Sequence, residues 1–202
     1  MSRTMTEQPI LIAISSPSGA GKSTLCRRLL DEVPELRFSV STTTRPMRPT
    51  DEDGVTYHFV SHGRFQEMIE TDAFIEWADV HGQRYGTAHA EIDAAAKESR
   101  GLLLDVDYQG SRAIKAAYPK AVTIFLLPPS LAELERRVRS RGEDSEEQVQ
   151  LRMRNAAGEI ENHQQFDYII VNDDLETAYT DLRAIFDAER SRAHRMASKA
   201  TA

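Results

Sequence analysis

Residues 15–25 read SSPSGAGKSTL, and this stretch decides the fold. A short apolar run, ILIAI at residues 10–14, leads directly into it, and a predicted helix that begins at Lys22 leads out. A strand, a glycine-bearing turn and a helix N-terminus in this order are the context of a phosphate-binding loop. Gly19 and Gly21 permit the turn and let backbone N–H groups point at phosphate oxygens, while the helix dipole favours an anion there. The stretch therefore predicts a nucleoside-triphosphate site.

Two side chains of the loop suit a bound nucleoside triphosphate. Lys22 can reach the β- and γ-phosphates, and the Ser23 hydroxyl can bind Mg²⁺. The predicted ATP-binding residues of this stretch are Ser18, Gly19, Ala20, Gly21, Lys22, Ser23 and Thr24. Ser16 departs from the pattern G-x-x-x-x-G-K-[ST], which has glycine there, so the loop must accommodate a Cβ, with backbone strain as an expected cost. The alternative is a Gly/Ser-rich turn that merely precedes a lysine, which the flanking strand and helix disfavour.

The composition is that of an ordinary globular domain. The 202 residues are 40% hydrophobic and 28% charged, and the formal net charge is -7. This acidic balance disfavours non-specific nucleic-acid binding, because phosphate backbones are themselves anionic. The apolar runs are too short to span a membrane, and residues 1–9 lack the apolar segment of a signal peptide. We therefore expect a cytoplasmic protein that binds small molecules, with neither nucleic acid nor a membrane as partner.

Strand-like and helix-like segments alternate along the chain. Predicted strands cover residues 10–15, 37–41, 57–60, 74–80, 83–86, 102–107, 122–127 and 168–171. Predicted helices cover residues 22–31, 64–70, 88–99, 109–117, 131–140, 145–165 and 172–189. The alternation indicates a parallel sheet with helices on both faces. Residues 41–86, which include a long polar loop at 41–54, instead indicate a small mixed lobe inserted into this α/β core.

Polar residues follow three of the apolar strands at their carboxyl ends. They are the glycine loop, the pair Asp105 and Asp107, and Asn172. Since ligands of parallel sheets bind at the carboxyl ends of the strands, we expect the three segments to meet at one site. Asp105 can hold the water shell of Mg²⁺, and Asp107 points the same way along the strand, where it can reach a neighbouring ligand. The alternative is that both carboxylates cap the next helix.

A first group of arginines forms a local basic region in this acidic chain. It lies at the end of one predicted helix and on the next, and consists of Arg136, Arg137, Arg139, Arg141, Arg152 and Arg154. Arg137 and Arg141 share a helix face, and arginine suits the charge that spreads over a transferring phosphoryl group. A solvated helix with ion pairs to Glu146 and Glu147 is the alternative.

A second group of polar side chains falls in and after the long loop. Arg45 and Arg48 lie three residues apart between prolines and can clamp a phosphate bidentately. The hydroxyls of Tyr57 and Tyr85 can add hydrogen bonds to the same phosphate. Composition alone does not separate this interpretation from a turn-rich loop with exposed charges.

Seven segments, quoted as they stand in this chain, resemble the guanylate kinases: SSPSGAGKSTL, FSVSTTTRPMRP, FIEWADVHGQRYGT, LLLDVDYQG, IFLLPPS, RGEDSEE and YIIVNDD. The resemblance runs from about Ile10 to Glu189. It implies a P-loop three-layer α/β fold with a parallel central sheet, an inserted small mixed α/β GMP-binding lobe and a helical lid. A single domain over residues 8–202 would comprise a core (8–40, 88–137 and 157–190), the GMP-binding lobe (41–87), the lid (138–156) and a frayed C-terminal tail (191–202).

The resemblance also implies roles for individual residues. The GMP-binding residues would be Ser41, Arg45, Arg48, Tyr57, Glu76, Tyr85, Thr87 and Asp107. Of these, Ser41, Glu76 and Asp107 would read the guanine, while the arginines and tyrosines would hold the GMP phosphate and Thr87 would add a hydroxyl. Asn172 would lie near the adenine of ATP. The catalytic side chains would be Lys22, Arg45, Asp105, Arg137, Arg141 and Arg152, and Ser23 and Asp105 would hold Mg²⁺, the latter through water.

The guanine assignment makes chemical sense. Guanine offers two neighbouring donors, N1–H and N2–H₂, which a carboxylate such as Glu76 can accept side by side, and Ser41 could donate to O6. Adenine lacks that pair, so a site with unpaired carboxylates would reject it by several kcal/mol. One further departure concerns residues 50–51, Thr-Asp, where the family commonly has Gly-Glu. The role of Asp51 is therefore open.

The expected activity is ATP + GMP ⇌ ADP + GDP, with dGMP as a further acceptor, in purine nucleotide metabolism and GMP recycling. Mg²⁺ would accompany ATP, and no general base is needed because the attacking phosphate oxygen is already anionic. Two alternatives stay open. One is another P-loop kinase, for instance of a ribose phosphate, which would not need Ser41 and Glu76. The other is a non-enzymatic binding module, which would not need Lys22, Ser23 and Asp105. The sequence does not decide between a monomer and a homo-oligomer.

Overall fold

The computed structural model describes residues 10–80, 82–98, 100–140, 145–192 and 195. Within them the strands are β1 (Leu11–Ser15), β2 (Leu36–Phe38), β3 (Thr42–Thr43), β4 (His58–Phe59), β5 (Phe74–Val80), β6 (Gln83–Ala88), β7 (Gly101–Asp105), β8 (Val122–Leu127) and β9 (Tyr168–Val171). The helices are α1 (Lys22–Glu32), α2 (His62–Glu70), α3 (His89–Lys97), α4 (Tyr108–Ala117), α5 (Leu131–Ser140), α6 (Glu146–Glu161) and α7 (Leu175–Arg190), with a 3-10 turn at His163–Gln165.

The larger sheet confirms the predicted parallel core. Its five strands run parallel in the order β2-β7-β1-β8-β9. Because side chains alternate along a strand, Ile12 and Ile14 of β1 pack towards α1 and α7, whereas Leu11 and Ala13 pack towards α3 and α4. All four side chains are buried. The core is therefore a three-layer α/β arrangement, and the carboxyl ends of its strands share one edge.

The smaller sheet lies within the predicted inserted segment. Its strands have the order β4-β3-β6-β5, in which β3 pairs parallel with β4 and the other neighbours are antiparallel. Helix α2 packs on it through Phe65, whose ring stacks on Phe74 at 4.5 Å between centroids. Ser61 caps α2, since its hydroxyl accepts from the Arg64 N–H, and the helix begins at His62, two residues before the predicted start. The mixed character expected of this segment is thus confirmed.

Four predicted strands are shorter in the structure, among them those predicted at 10–15 and 57–60, which cover 11–15 and 58–59. The strand predicted at 37–41 ends at Phe38, because the Ser39 N–H makes the last bond to the core sheet and the Val40 N–H turns instead to the carboxylate of Glu91. The strand predicted at 102–107 ends at Asp105. The prediction that Asp107 continues this strand is wrong, because Asp107 caps α4 by accepting from the Gly110 N–H at 2.7 Å.

Several helix boundaries also move, and the helix predicted at 172–189 covers Leu175–Arg190, with Asp174 as its cap. The helix predicted at 88–99 begins at His89, because Ala88 is still paired with Phe74 in the smaller sheet. The helix predicted at 145–165 ends at Glu161, and the 3-10 turn follows it. Residue 81 of the predicted hairpin and residues 193, 194 and 196–202 of the predicted tail lie outside the described residues. In the described part of the chain, no helix has the length and apolar character of a transmembrane span.

Candidate active site

The phosphate loop joins β1 to α1 with the backbone that its glycines permit. Gly19 and Gly21 have φ angles of 99° and 95°, in the left-handed region that disfavours a Cβ. A Cβ on Gly21 would also collide with the side-chain nitrogen of Asn172. Ser16 does not adopt a positive φ, so the backbone strain expected from its departure is not found. The loop therefore tolerates serine at position 16 but requires glycine at 21.

Asn172 braces this loop from the end of β9. Its side chain is buried, and Nδ2 donates to the carbonyl oxygen of Ala20 at 2.7 Å. The backbone carbonyl oxygen of Asn172 accepts from Nη1 of Arg137 at 3.1 Å. The expectation that the carboxyl ends of separate strands meet is confirmed at this contact. The side-chain amide nitrogen of Asn172 is already bonded to the loop. The expectation that Asn172 lies near the adenine of ATP stays a prediction.

Lys22 and Asp105 form the charged centre of the donor side. Lys22 Nζ is in contact with Asp105 Oδ1, and both side chains keep some solvent access. Ser23 and Thr24 follow Lys22 in the first turn of α1. Both line a cavity of about 350 Å³ next to the phosphate loop. The cavity wall also includes Ser18, Gly19 and Gly21. The oxygen atoms of Ser23 and Asp105 are hard donors of the kind that Mg²⁺ prefers, so this pair fits the ion.

Helix α6 contributes two side chains beside this cavity. Arg152 Nη1 donates to the hydroxyl of Ser18 at 2.7 Å, while its role towards the phosphates of ATP stays a prediction. Glu159, two turns further along the helix, lines the cavity as well. Burial and the charge of Asp107 raise the pKa of Glu159, and Lys22 opposes the shift. Sequence reasoning missed Glu159, although its spacing from Arg152 would have placed both on one helix face.

The other arginines of the basic region differ in their contacts. Arg137 is held by Glu133 at 2.7 Å and by the Asn172 carbonyl, so it lies beside the loop. Arg136 and Arg137 hold the pKa of Glu133 at about 2. Arg139 instead pairs with Glu135 and Glu146, as the ion-pair alternative predicted. Arg141 lies outside the described residues, so its predicted role is not tested.

Three guanine-side residues form one row across the smaller sheet. Thr87 of β6 pairs with Glu76 of β5, and Thr87 Oγ1 donates to Glu76 Oε1 at 2.5 Å. The register of β3 with β6 pairs Thr42 with Gly86, so continuing it by one residue sets Ser41 opposite Thr87. Burial and the charge of Asp107 raise the pKa of Glu76. Ser41, Thr87 and Glu76 are far apart in sequence, and strand pairing alone brings them together.

Asp107 and α4 connect the donor and guanine sides. Asp107 is exposed, and its cap bond occupies Oδ1. A Cβ on Gly110, in the first turn of α4, would lie 3.3 Å from the carboxyl carbon of Glu76. The start of α4 therefore packs directly against Glu76. The helix-cap alternative is correct for Asp107, while Asp105 contacts Lys22.

A cluster around Arg45 forms the third part of the site. The Arg45 guanidinium lies 5.3 Å from the centre of the Tyr57 ring, which meets the Tyr85 ring edge-on at 5.8 Å. Asp51 Oδ2 pairs with Arg45 Nη2 at 2.9 Å and accepts from the Arg48 backbone N–H at 2.6 Å. These contacts hold the pKa of Asp51 below its usual range, the Arg48 N–H contributing most. The open question about Asp51 is thereby answered, since this carboxylate orients Arg45.

The comparisons agree with this geometry. A family model described as guanylate kinase matches residues 8–189. The chain is 48% identical over 188 residues to a guanylate kinase of Myxococcus xanthus, covering 93% of this chain and 90% of that one. It is 46% identical over 187 residues to a guanylate kinase of Rhizobium meliloti, covering 92% and 85%. The crystal structure of guanylate kinase from Anaplasma phagocytophilum superposes with a TM-score of 0.74 at 30% identity, covering 94% of this chain and 90% of that one. The chain belongs to the guanylate kinase family.

Proposed function

We propose that the chain transfers the terminal phosphoryl group of ATP to GMP, and to dGMP, producing ADP and the nucleoside diphosphate. The observation that carries the proposal is the continuous segment from β7 into α4. Asp105 ends β7 in contact with Lys22 of the phosphate loop, and Asp107 begins α4 beside Glu76 of the smaller sheet. One short segment thus joins a donor site to an acceptor site. Family membership supports the same reaction.

On the donor side, the loop would hold the phosphates of ATP through its backbone N–H groups and Lys22. Arg137, Arg141 and Arg152 would neutralise charge that develops on the transferring phosphoryl group. Ser23 and Asp105 would hold Mg²⁺, the latter through water. When bound, the ion would supply positive charge that neutralises charge on the phosphate oxygens.

On the acceptor side, the row of Ser41, Thr87 and Glu76 would read the guanine together with Asp107. An ionised Glu76 accepts from N1–H and N2–H₂ of guanine, and the Thr87 hydroxyl keeps one of its oxygens oriented. A base without two neighbouring donors would leave this half-buried carboxylate without those two hydrogen bonds, which is costly. The contacts of Glu76 therefore support guanine over adenine as the acceptor base.

The GMP phosphate would bind at the Arg45 cluster, with Arg48, Tyr57 and Tyr85. Arg45 is already oriented by Asp51, so less conformational freedom is lost when the phosphate binds. One anionic oxygen of this phosphate attacks the γ-phosphorus of ATP, while the bond to the β–γ bridging oxygen breaks and ADP leaves. No general base is required, so catalysis consists of positioning and charge neutralisation.

Water is a competing nucleophile, so the site should assemble fully only around both nucleotides. We assign the acceptor lobe to residues 41–87, the lid to 138–156, and the core to 8–40, 88–137 and 157–190. The separate sheets of the core and the lobe support this division. A cytoplasmic location and the occurrence of a homo-oligomer stay predictions.

The test is ADP release from Mg·ATP with GMP, dGMP, AMP, UMP, CMP and dTMP as acceptors. We expect release with GMP and dGMP and little with the other four. Equal rates with AMP would contradict the role of Glu76. Release with none of them would favour a ribose-phosphate kinase or a binding module, and ribose phosphates would be assayed next.

A further inference from the structure

The acceptor lobe is joined to the core by two short chain crossings. The first leaves β2 of the core, passes through Ser39, Val40 and Ser41, and enters β3 of the smaller sheet. The second leaves β6 of the smaller sheet at Ala88 and enters α3 directly. Any group that binds both crossings sets the placement of the lobe relative to the core. Glu91 binds the first crossing and lies just after the second.

The carboxylate of Glu91, in the first turn of α3, contacts the first crossing and one residue of each sheet, while its own helix begins at the second crossing. Its Oε2 accepts from the Val40 backbone N–H at 2.9 Å and from Nη2 of Arg37 at 3.3 Å. Its Oε1 lies 3.2 Å from Nε2 of His58 in β4. Arg37 belongs to the core sheet and His58 to the smaller one. Glu91 itself stands on the second crossing, so one side chain links every part of the junction.

This carboxylate is buried, with 6% of the residue exposed. A carboxylate at such a position costs free energy unless donors surround it, and three donor groups do so here. An apolar side chain would fill the space without that cost. The arrangement is therefore more than packing, because it selects one relative placement of a backbone N–H, a core arginine and a lobe histidine.

The contacts of Glu91 lie next to residues assigned to GMP. Val40 precedes Ser41, and His58 follows Tyr57. The His58 backbone N–H donates in turn to the Ser41 carbonyl at 2.9 Å. The second crossing begins one residue after Thr87. Glu91 thus acts on the base-reading row and on the phosphate cluster through their immediate neighbours, and it touches neither directly.

We propose that Glu91 is a positioning residue for the acceptor nucleotide, holding the GMP-binding lobe in register with the core through Val40, Arg37 and His58. The proposal rests on the acceptor-site assignment made above. It requires that loss of the carboxylate weakens the use of GMP while the use of ATP, bound by the phosphate loop, is preserved.

The experiment measures kcat and KM for GMP and for ATP separately in Glu91→Ala and Glu91→Gln. Misplacement of the base row should raise KM for GMP about tenfold in Glu91→Ala, with KM for ATP changed by less than about twofold. Glu91→Gln keeps an acceptor for the Val40 N–H, so we expect partial rescue, with KM for GMP raised about threefold. Thermal unfolding of each variant is recorded alongside.

Glu98→Gln is the matched control. Glu98 is the other carboxylate that binds Arg37, at 3.0 Å from Nη1, but its contacts with Arg37 and Arg100 involve neither crossing nor the smaller sheet. We expect its kinetics with both substrates to be unchanged. His58→Asn removes only the contact to the lobe and should raise KM for GMP in the same direction as Glu91→Gln, which keeps the proposal testable if Glu91→Ala does not fold.

Two results would overturn the proposal. One is an unchanged KM for GMP in both Glu91→Gln and His58→Asn. The other is an equal rise of both KM values together with a lower unfolding temperature, which would show a purely structural role. Glu76→Gln in the same assay shows whether the positioning role of Glu91 or the acceptor-site assignment is wrong. If it impairs GMP use and the Glu91 variants do not, only the positioning role fails, whereas no effect in any of them overturns the acceptor-site assignment itself.

Discussion

The donor and acceptor halves of the site are built in different ways. The phosphate loop lies within residues 15–24, and its Lys22, Ser23 and glycines are placed by one turn and one helix start. The acceptor half draws Glu76 and Thr87 from two paired strands and Ser41 from the residue before β3, and it depends on the register between the strands. In the donor half, activity should be lost when a single residue of the loop is substituted. In the acceptor half, activity should also be lost when a contact that holds the strands and helices in place is removed.

The largest effect on activity is expected in the donor half of the site. Lys22→Ala removes the cation that faces the transferring phosphate and should lower kcat by roughly a thousandfold. Stability should change little, because Lys22 and Asp105 are both partly exposed. Steady-state kinetics and thermal unfolding check this, with Lys97→Ala at the end of α3 as control. Retained turnover in Lys22→Ala would mean that the loop is not the donor site.

In the acceptor half, Glu76→Gln should lower kcat/KM for GMP about a hundredfold, because the charge-assisted pair of hydrogen bonds from guanine N1–H and N2–H₂ to the carboxylate is lost. Relative activity with AMP should rise. Because the pKa of Glu76 is raised, its carboxylate is lost at a higher pH than that of an ordinary glutamate. The kcat/KM for GMP should therefore fall on acidification within the range just above the usual glutamate pKa, and Glu76→Gln should lack this limb. Glu70→Gln on α2 serves as control, and unchanged GMP kinetics in Glu76→Gln would refute the guanine assignment.

A pair of glycine variants separates collision from backbone strain. Gly21→Ala and Gly82→Ala both place a Cβ at positive φ, but only the first meets a neighbour, the Asn172 side chain. Gly82→Ala should cost about 1 kcal/mol of stability, and Gly21→Ala about 3 kcal/mol with roughly tenfold weaker ATP use. Chemical denaturation and KM for ATP check this. Equal effects of the two variants would show that the brace between Asn172 and the loop is unimportant.

The smallest effect is expected at the Arg45 cluster. Asp51→Asn keeps an oxygen for the Arg48 N–H but loses the ion pair with Arg45, so KM for GMP should rise about fivefold with kcat nearly unchanged. Glu52→Gln, one residue further along the loop, is the control. If KM for GMP is the same in both variants, Arg45 does not need Asp51 for its orientation.

Much of the architecture could be predicted from the chain alone. The strands at 74–80, 122–127 and 168–171 have the predicted bounds, because short segments rich in β-branched, aromatic and other apolar residues carry a local signal. The end of the strand at Phe38 and the cap at Asp107 could not be predicted. Each depends on a partner distant in sequence or on a choice between strand and helix cap that the residue type leaves open.

The sequence by itself determined a parallel α/β core with a phosphate loop, since glycine turns, alternation and helix starts are local properties of the backbone. It also supplied the candidate guanine readers, through the resemblance of whole segments. The contacts of Asn172 with the loop, of Asp51 with Arg45, and of Glu91 with Val40, Arg37 and His58 appear only in the folded chain. These contacts join residues whose pairing depends on strand register and helix docking, and no local pattern encodes such a pairing.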